Sequence, residues 1–148
     1  MGASGWSYWT GYTEDIEEFF EELRHEVFAA GDYAEPWDAP DDYHPASIEK
    51  LVENCGESGT HSILDIEEIR SKPVPHDAEW DDEFLKLFPL SPHQLREQFD
   101  TIRPTREEIE DKEAELSNME IGNWSGRWIV AYENKEPVEV YIFGHSGD

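Results

Sequence analysis

Residues 123–143 read Asn-Trp-Ser-Gly-Arg-Trp-Ile-Val-Ala-Tyr-Glu-Asn-Lys-Glu-Pro-Val-Glu-Val-Tyr-Ile-Phe and predict a β-hairpin near the end of the chain. Two runs rich in β-branched and aromatic residues, 128–132 and 138–143, flank the polar loop 133–137. Such residues pack well on a pleated surface. Apart from Glu139, both faces of both strands carry apolar side chains. We therefore expect two internal strands that the rest of the chain covers on both sides.

Two further runs show the alternation that is typical of a β-strand. The first is aromatic and contains Trp6 and Tyr8 on one face. In the second, His61, Ile63 and Asp65 fall on one face. With the hairpin, these runs predict a small, mostly antiparallel sheet of about four strands, namely 5–12, 60–66, 126–132 and 138–143.

The clearest helix follows Thr13, which we take as its N-cap, and ends before Gly31. Its apolar residues recur at the spacing of one helical stripe, which predicts that one face packs on the sheet and the other meets solvent. The residues of the stripe are Ile16, Phe19, Phe20, Leu23 and Val27.

Four more helices are expected: one at about 45–54, one at about 82–88, one that begins at Ser91 and is broken by Arg103-Pro104, and one from Thr105 to about Leu116. Two begin with explicit capping boxes, Ser91 with Gln94 and Thr105 with Glu108. The last helix has few apolar residues and is expected to lie on the outside. The predicted architecture is α+β, with several helices covering the sheet in one acidic domain that spans 1–148.

Charge is the outlying property of the composition. Asp and Glu number 36 against 11 Lys and Arg, so the net charge is −25. Such a protein repels nucleic acid and anionic membranes, and neither is an expected partner. Three explanations compete: a solvated surface suited to a salt-rich cytoplasm, recognition of a basic protein surface (with mimicry of nucleic-acid phosphates as a special case), and binding of hard cations by carboxylates.

We expect the basic-partner surface, if it exists, on the first helix and the loop that follows it. Between residues 13 and 42 there are twelve acidic residues and one Arg. Trp37 is the best candidate for an exposed aromatic anchor. The predicted partner-binding residues are Glu14, Glu17, Glu18, Glu21, Glu22, Trp37, Asp38, Asp41 and Asp42.

Cys55 is the single cysteine, so no internal disulfide can form, which fits a reducing compartment. It falls on the apolar stripe of the helix at 45–54 and is interpreted as a buried hydrophobe, with a nucleophile as the alternative. The first residues have neither the charged nor the apolar region of a signal peptide. No apolar run approaches membrane-spanning length. We expect a cytoplasmic protein.

The dipeptide His-Ser occurs twice near a predicted strand end, as His61-Ser62 and as His145-Ser146. If the strands were neighbours, His61, Asp65, His145 and Asp148 would converge. A His paired with a carboxylate can act as a general base, and two His with a carboxylate can hold a transition metal. His61, Asp65 and His145 are therefore candidate catalytic or metal-binding residues, against the alternative that these side chains are structural.

The sequence favours a small acidic interaction module, of the inhibitor or immunity type, that binds a basic partner. The alternative is a small hydrolase-type enzyme that uses the His and Asp candidates, with or without a metal. The chain has no nucleophile elbow, no His-Glu-x-x-His and no phosphate-binding glycine loop. No cofactor is expected.

Overall fold

The computed structural model describes residues 5–146, and its strands form one mixed sheet. The strands are β1 (Gly5–Gly11), β2 (Glu68–Ile69), β3 (Lys86–Pro89), β4 (Ser125–Glu133) and β5 (Glu136–His145). Their order is β1-β5-β4-β3-β2. β5 pairs antiparallel with both β1 and β4, whereas β3 pairs in parallel with β4 and β2. The α+β class is confirmed, but the sheet has five strands and is mixed.

The predicted hairpin, β4 and β5, occupies the centre of the sheet as expected. Its turn is shorter than the predicted loop 133–137, because the strands close around Asn134 and Lys135 alone. Both residues have positive φ, 53° and 68°. This is the pattern of a type I′ turn, whose twist matches that of the two strands. A register shift lies between Ala131 and Tyr132, and Pro137 follows the turn outside the stretch that pairs with β1.

Neighbouring residues of the hairpin point into two separate cores, so both faces are covered as predicted. Trp128 and Ile142 belong to one cluster, while Ile129 and Tyr141 belong to the other. This alternation is the two-residue period of a strand. The sheet is therefore the middle of three layers.

The helices divide between the two faces of the sheet. They are α1 (Ile16–Ala30), α2 (Ile48–Cys55), α3 (Trp80–Glu83), α4 (Pro92–Phe99), α5 (Arg106–Asp111) and α6 (Glu113–Ser117). The first two bury their apolar residues in the cluster that contains Trp128. The last three bury Phe99, Ile109 and Leu116 in the cluster that contains Tyr141. We call these the α1 side and the α5 side.

The predicted strand 60–66 was wrong. His61 has a φ of 53°, which breaks an extended run, and residues Ile63–Asp65 form a 3₁₀ turn. Ser62 caps this turn, because its hydroxyl accepts the Leu64 N–H at 3.1 Å. A short apolar run cannot be assigned from its period alone when a local cap competes with the ladder.

The predicted helix at 82–88 was also wrong in its position. Its place is taken by the short helix α3 and by the strand β3. Leu85, between them, has a φ of 61° and ends the helical path. β3 and β2 were not predicted, since each is too short to show a period.

The helix boundaries were otherwise close to the prediction. The N-cap of α1 is Asp15, which accepts the Glu17 N–H at 3.0 Å, and not Thr13, whose hydroxyl donates to the Asp15 carbonyl. Both predicted capping boxes are present. The predicted helix 105–116 is divided at Lys112 into α5 and α6.

Candidate functional site

The outer face of α1 is a dense carboxylate surface. Its buried stripe fixes the opposite face towards solvent, and Gly31 ends the helix with a φ of 70°. The glutamates that the sequence assigned to partner binding are all exposed, namely Glu14, Glu17, Glu18, Glu21 and Glu22. Together with the loop residues described next, they form what we call the acidic surface.

The loop after α1 presents Trp37 to solvent on a defined turn. The Ala39 N–H donates to the Pro36 carbonyl at 3.0 Å, and the Tyr43 N–H donates to the Pro40 carbonyl at 3.0 Å. These two consecutive turns hold Trp37, Asp38, Asp41 and Asp42 at their tips, and all four side chains are exposed. Trp37 is 94% exposed. The loop thus adds an uncovered aromatic ring to the carboxylates of α1.

Internal ion pairs neutralise little of the acidic surface. Arg24 pairs with Glu21 at 3.4 Å. Within residues 5–146, the other four glutamates of the set, and the three aspartates of the loop, make no ion pair. Solvent ions can screen the mutual repulsion of these carboxylates, and an external cation can relieve it.

Asp65 is the centre of a buried polar network on the α1 side. Its Oδ1 accepts the Thr60 N–H at 2.8 Å, and its Oδ2 accepts the Ser146 hydroxyl at 2.7 Å. Thr60 and Ser62 join their hydroxyls at 2.7 Å. The carboxylate is 4% exposed. It ties the 3₁₀ turn to the end of β5 across 81 positions of sequence, which is a structural role.

The predicted convergence of His61, Asp65, His145 and Asp148 stays a prediction, and the contact found is between Asp65 and Ser146, which was not in that set. The two histidines line different cavities, which share Gly5, Trp6 and Ser7. His145 lines a cavity with Tyr141 and Glu113 on the α5 side, whereas His61 lines another with Tyr8 on the α1 side. Burial lowers the pKa of His145. Asp148 lies outside the described residues.

Metal binding by the predicted residues has no further support. Among residues 5–146, no group of three or more His, Cys, Asp or Glu side chains is arranged to hold a metal ion. The catalytic and metal-binding roles of His61, Asp65 and His145 stay predictions.

Cys55 is buried, as its place on the apolar stripe predicted. Its Sγ lies 3.5 Å from the Ala34 carbonyl, to which the thiol donates. Burial raises the pKa of the Cys55 thiol, and a nearby carboxylate, Asp65, adds to the increase. The thiolate, which is the nucleophilic form, is therefore disfavoured.

Sequence reasoning did not anticipate a cavity of about 460 Å³ between α2 and the segments that precede β3 and β4. Its walls include Val52, Phe84 and Trp124, and its rim includes Glu57 and Glu67. These residues come from four separate parts of the chain, so no local spacing marks them. Gly59 is the residue whose identity the cavity wall requires, because a Cβ there would lie 2.6 Å from the Trp124 ring.

Comparison of the chain with family models, with curated proteins and with solved structures finds no match. The site must therefore be interpreted from its own chemistry. In the described part of the chain, no helix has both the length and the hydropathy needed to cross a membrane.

Proposed function

We propose that this protein is a small acidic interaction module of the cytoplasm, of the inhibitor or immunity type, that covers a basic surface on a partner protein. One observation carries the proposal. Within residues 5–146, the acidic surface combines a tryptophan that is 94% exposed with carboxylates that, apart from Glu21, make no ion pair. Charge brings the partner to this face, and the aromatic ring anchors it.

Electrostatic complementarity explains why the carboxylates are left unpaired. A surface of one sign steers an oppositely charged partner and raises the association rate, and its effect falls as salt screens it. Glu14, Glu17, Glu18 and Glu22 are exposed on or next to a single helix. The helix fixes the backbone positions of Glu17, Glu18 and Glu22 before binding, so a partner need not order the backbone there.

Trp37 supplies the second element of recognition. Tryptophan is enriched among the residues that dominate binding energy, because it buries a large area with few rotatable bonds. The two turns around Pro36 and Pro40 hold the ring beside Asp38. An exposed aromatic ring in a loop that also exposes three aspartates suits a partner surface that has an apolar pocket near basic residues.

The test is a pull-down from a lysate of the organism that encodes the protein, with two matched variants. The first carries Glu17→Lys, Glu18→Lys and Glu22→Lys on α1. The control carries Glu107→Lys, Asp111→Lys and Glu115→Lys on α5 and α6. These three side chains are also exposed and make no ion pair with any residue of 5–146. Each substitution adds two positive charges, so three of them take either variant from −25 to −19.

We expect one basic protein, in stoichiometric amount, to bind the wild type and the α5-side control at low salt. The α1 variant and high salt should both abolish its capture. Equal capture by both variants would overturn the proposal and would favour the explanation in which the charge only solvates the surface. Absence of a partner at either salt would also overturn it.

A further inference from the structure

The cavity next to Asp65 has apolar walls and an acidic rim. Val52, Phe84 and Trp124 provide the walls, and Glu57 and Glu67 are exposed at the rim. Asp65 also lines the cavity, and no Lys, Arg or His is among the residues that line it in the described chain. Apolar surface next to uncompensated carboxylates fits a ligand with an apolar stem and a positive end.

The aromatic wall is fixed in place before any ligand arrives. The Leu85 N–H donates to the Trp124 carbonyl at 2.6 Å. The six-membered ring of Trp124 lies on Gly59, so close that a Cβ there would be 2.6 Å from it and 2.9 Å from Asp65 Oδ2. The indole edge and the buried carboxylate therefore meet above the same glycine. A rigid wall of this kind costs little ordering on binding.

The cavity has a neighbour next to α1. A second cavity, lined by Arg24 of α1 and by Glu49 and Glu53 of α2, shares Val52, Asp65 and Glu67 with the first. Arg24 is mostly covered and pairs with Glu21. The second cavity therefore lies between α1, which carries most of the acidic surface, and the aromatic cavity.

We propose that the cavity is an anchor pocket for one arginine side chain of the basic partner. This inference rests on the proposed function. The methylene stem would lie on Val52 and Phe84, and the guanidinium would lie near the Trp124 ring with Glu57 and Glu67 as acceptors. Arginine suits the pocket better than lysine, because its planar guanidinium stacks on aromatic rings, binds carboxylates through two N–H groups and is less strongly hydrated.

The direct test uses n-butylguanidine as a probe of an arginine side chain, followed by the indole N–H signal of Trp124 in a ¹H–¹⁵N spectrum. A Trp124→Phe spectrum assigns that signal among the six indoles. The neutral control is n-butylurea, which has nearly the same shape. We expect a saturable shift with n-butylguanidine and about tenfold weaker binding of n-butylurea, the difference expected from one charge-assisted hydrogen bond.

Two matched variants test which carboxylates bind the guanidinium. Glu57→Gln with Glu67→Gln should weaken n-butylguanidine binding by about tenfold. Glu107→Gln with Asp111→Asn removes two exposed carboxylates on the α5 side and should leave binding unchanged. Equal binding of the urea, an absence of saturation at Trp124, or tighter binding of n-butylamine would each overturn the arginine pocket.

The pocket and the proposed function can fail separately. In the pull-down, retention of the partner by the Glu57→Gln/Glu67→Gln variant, with loss from the α1 variant, would refute the pocket and leave the acidic surface intact. If n-butylguanidine binds saturably at Trp124, and the α1 variant captures the partner as well as the wild type does, the pocket is supported and the proposed function is refuted.

Discussion

The two sides of the sheet differ in the surroundings of two tryptophans, Trp9 on the α5 side and Trp37 on the α1 side. On the α5 side, Arg106 pairs with Glu110 and Glu139, and its guanidinium lies 4.4 Å from the centre of the Trp9 ring. On the α1 side, Arg24 pairs with Glu21 and lies 5.4 Å from the centre of the Phe20 ring, whereas Trp37 is uncovered. Both sides therefore use an arginine to stabilise the fold, but the cation covers Trp9 on one side and leaves Trp37 open to solvent on the other.

The largest expected difference in stability is between variants of Trp9 and of Trp37. Trp9 lies 5.0 Å from Tyr141, centre to centre, under Arg106. Trp9→Ala should therefore lower the free energy of unfolding by about 3 kcal/mol, the lower end of the range for an aromatic-to-Ala change because Trp9 is only partly buried. Trp37→Ala should change it by less than about 0.5 kcal/mol. Urea unfolding of both variants measures the difference. Equal losses would contradict a Trp37 that is free for binding.

The next largest difference in stability is between the loss of a buried hydrogen bond and the loss of an exposed ion pair. Ser146→Ala removes the hydroxyl that donates to the buried Asp65 on the α1 side and should cost about 2 kcal/mol. Glu139→Gln weakens the pair with Arg106 on the α5 side and should cost less than about 1 kcal/mol. Denaturant unfolding at low salt checks both. A cost below about 0.5 kcal/mol for Ser146→Ala would contradict the structural role of Asp65.

The remaining expected effects appear only away from neutral pH, in the pH dependence of stability. Burial raises the pKa of Tyr8, on the α1 side, to about 12. Between pH 10 and 12 the unfolded tyrosine has lost its proton and the folded one has kept it, so stability falls as the pH rises. Tyr8→Phe should abolish this part of the alkaline loss. The same alkaline profile in Tyr8→Phe would contradict the burial of the phenol.

His145, on the α5 side, gives the opposite sign. Because burial lowers its pKa below 6.5, the unfolded state binds a proton more readily than the folded state. Its contribution to stability is therefore present above about pH 6.5 and is lost as the pH falls. The variant His145→Gln should show a shallower loss of stability between pH 7 and 5. An unchanged acid profile would contradict this assignment.

The fold was predictable where one segment carried its own signal. The hairpin, the first strand and the α1 stripe each combine a clear period with an explicit stop, such as Gly31. The capping boxes at Ser91 and Thr105 were predictable because both partners lie within four residues. These local devices agree with the tertiary structure, so no competing interaction displaces them.

The rest depended on contacts between distant residues. β3 spans four residues and is a strand because β4 and β2 lie beside it. The run at 60–66 is not extended, because Ser62 caps a 3₁₀ turn and because Asp65 accepts hydrogen bonds from Thr60 and Ser146. The acidic surface was named from composition alone, whereas the cavity at Trp124 needs residues that are more than 60 positions apart, from Val52 to Trp124.

The salt dependence of partner binding tests the central claim most directly. The dissociation constant of the captured partner would be measured across a KCl series for the wild type, the α1 variant and the α5-side control. Electrostatic steering predicts that the affinity of the wild type and of the control falls as salt rises. The α1 variant should bind at least about 100-fold more weakly at low salt, and its affinity should not change with salt. A wild type and an α1 variant with the same affinity and the same salt dependence would contradict the account.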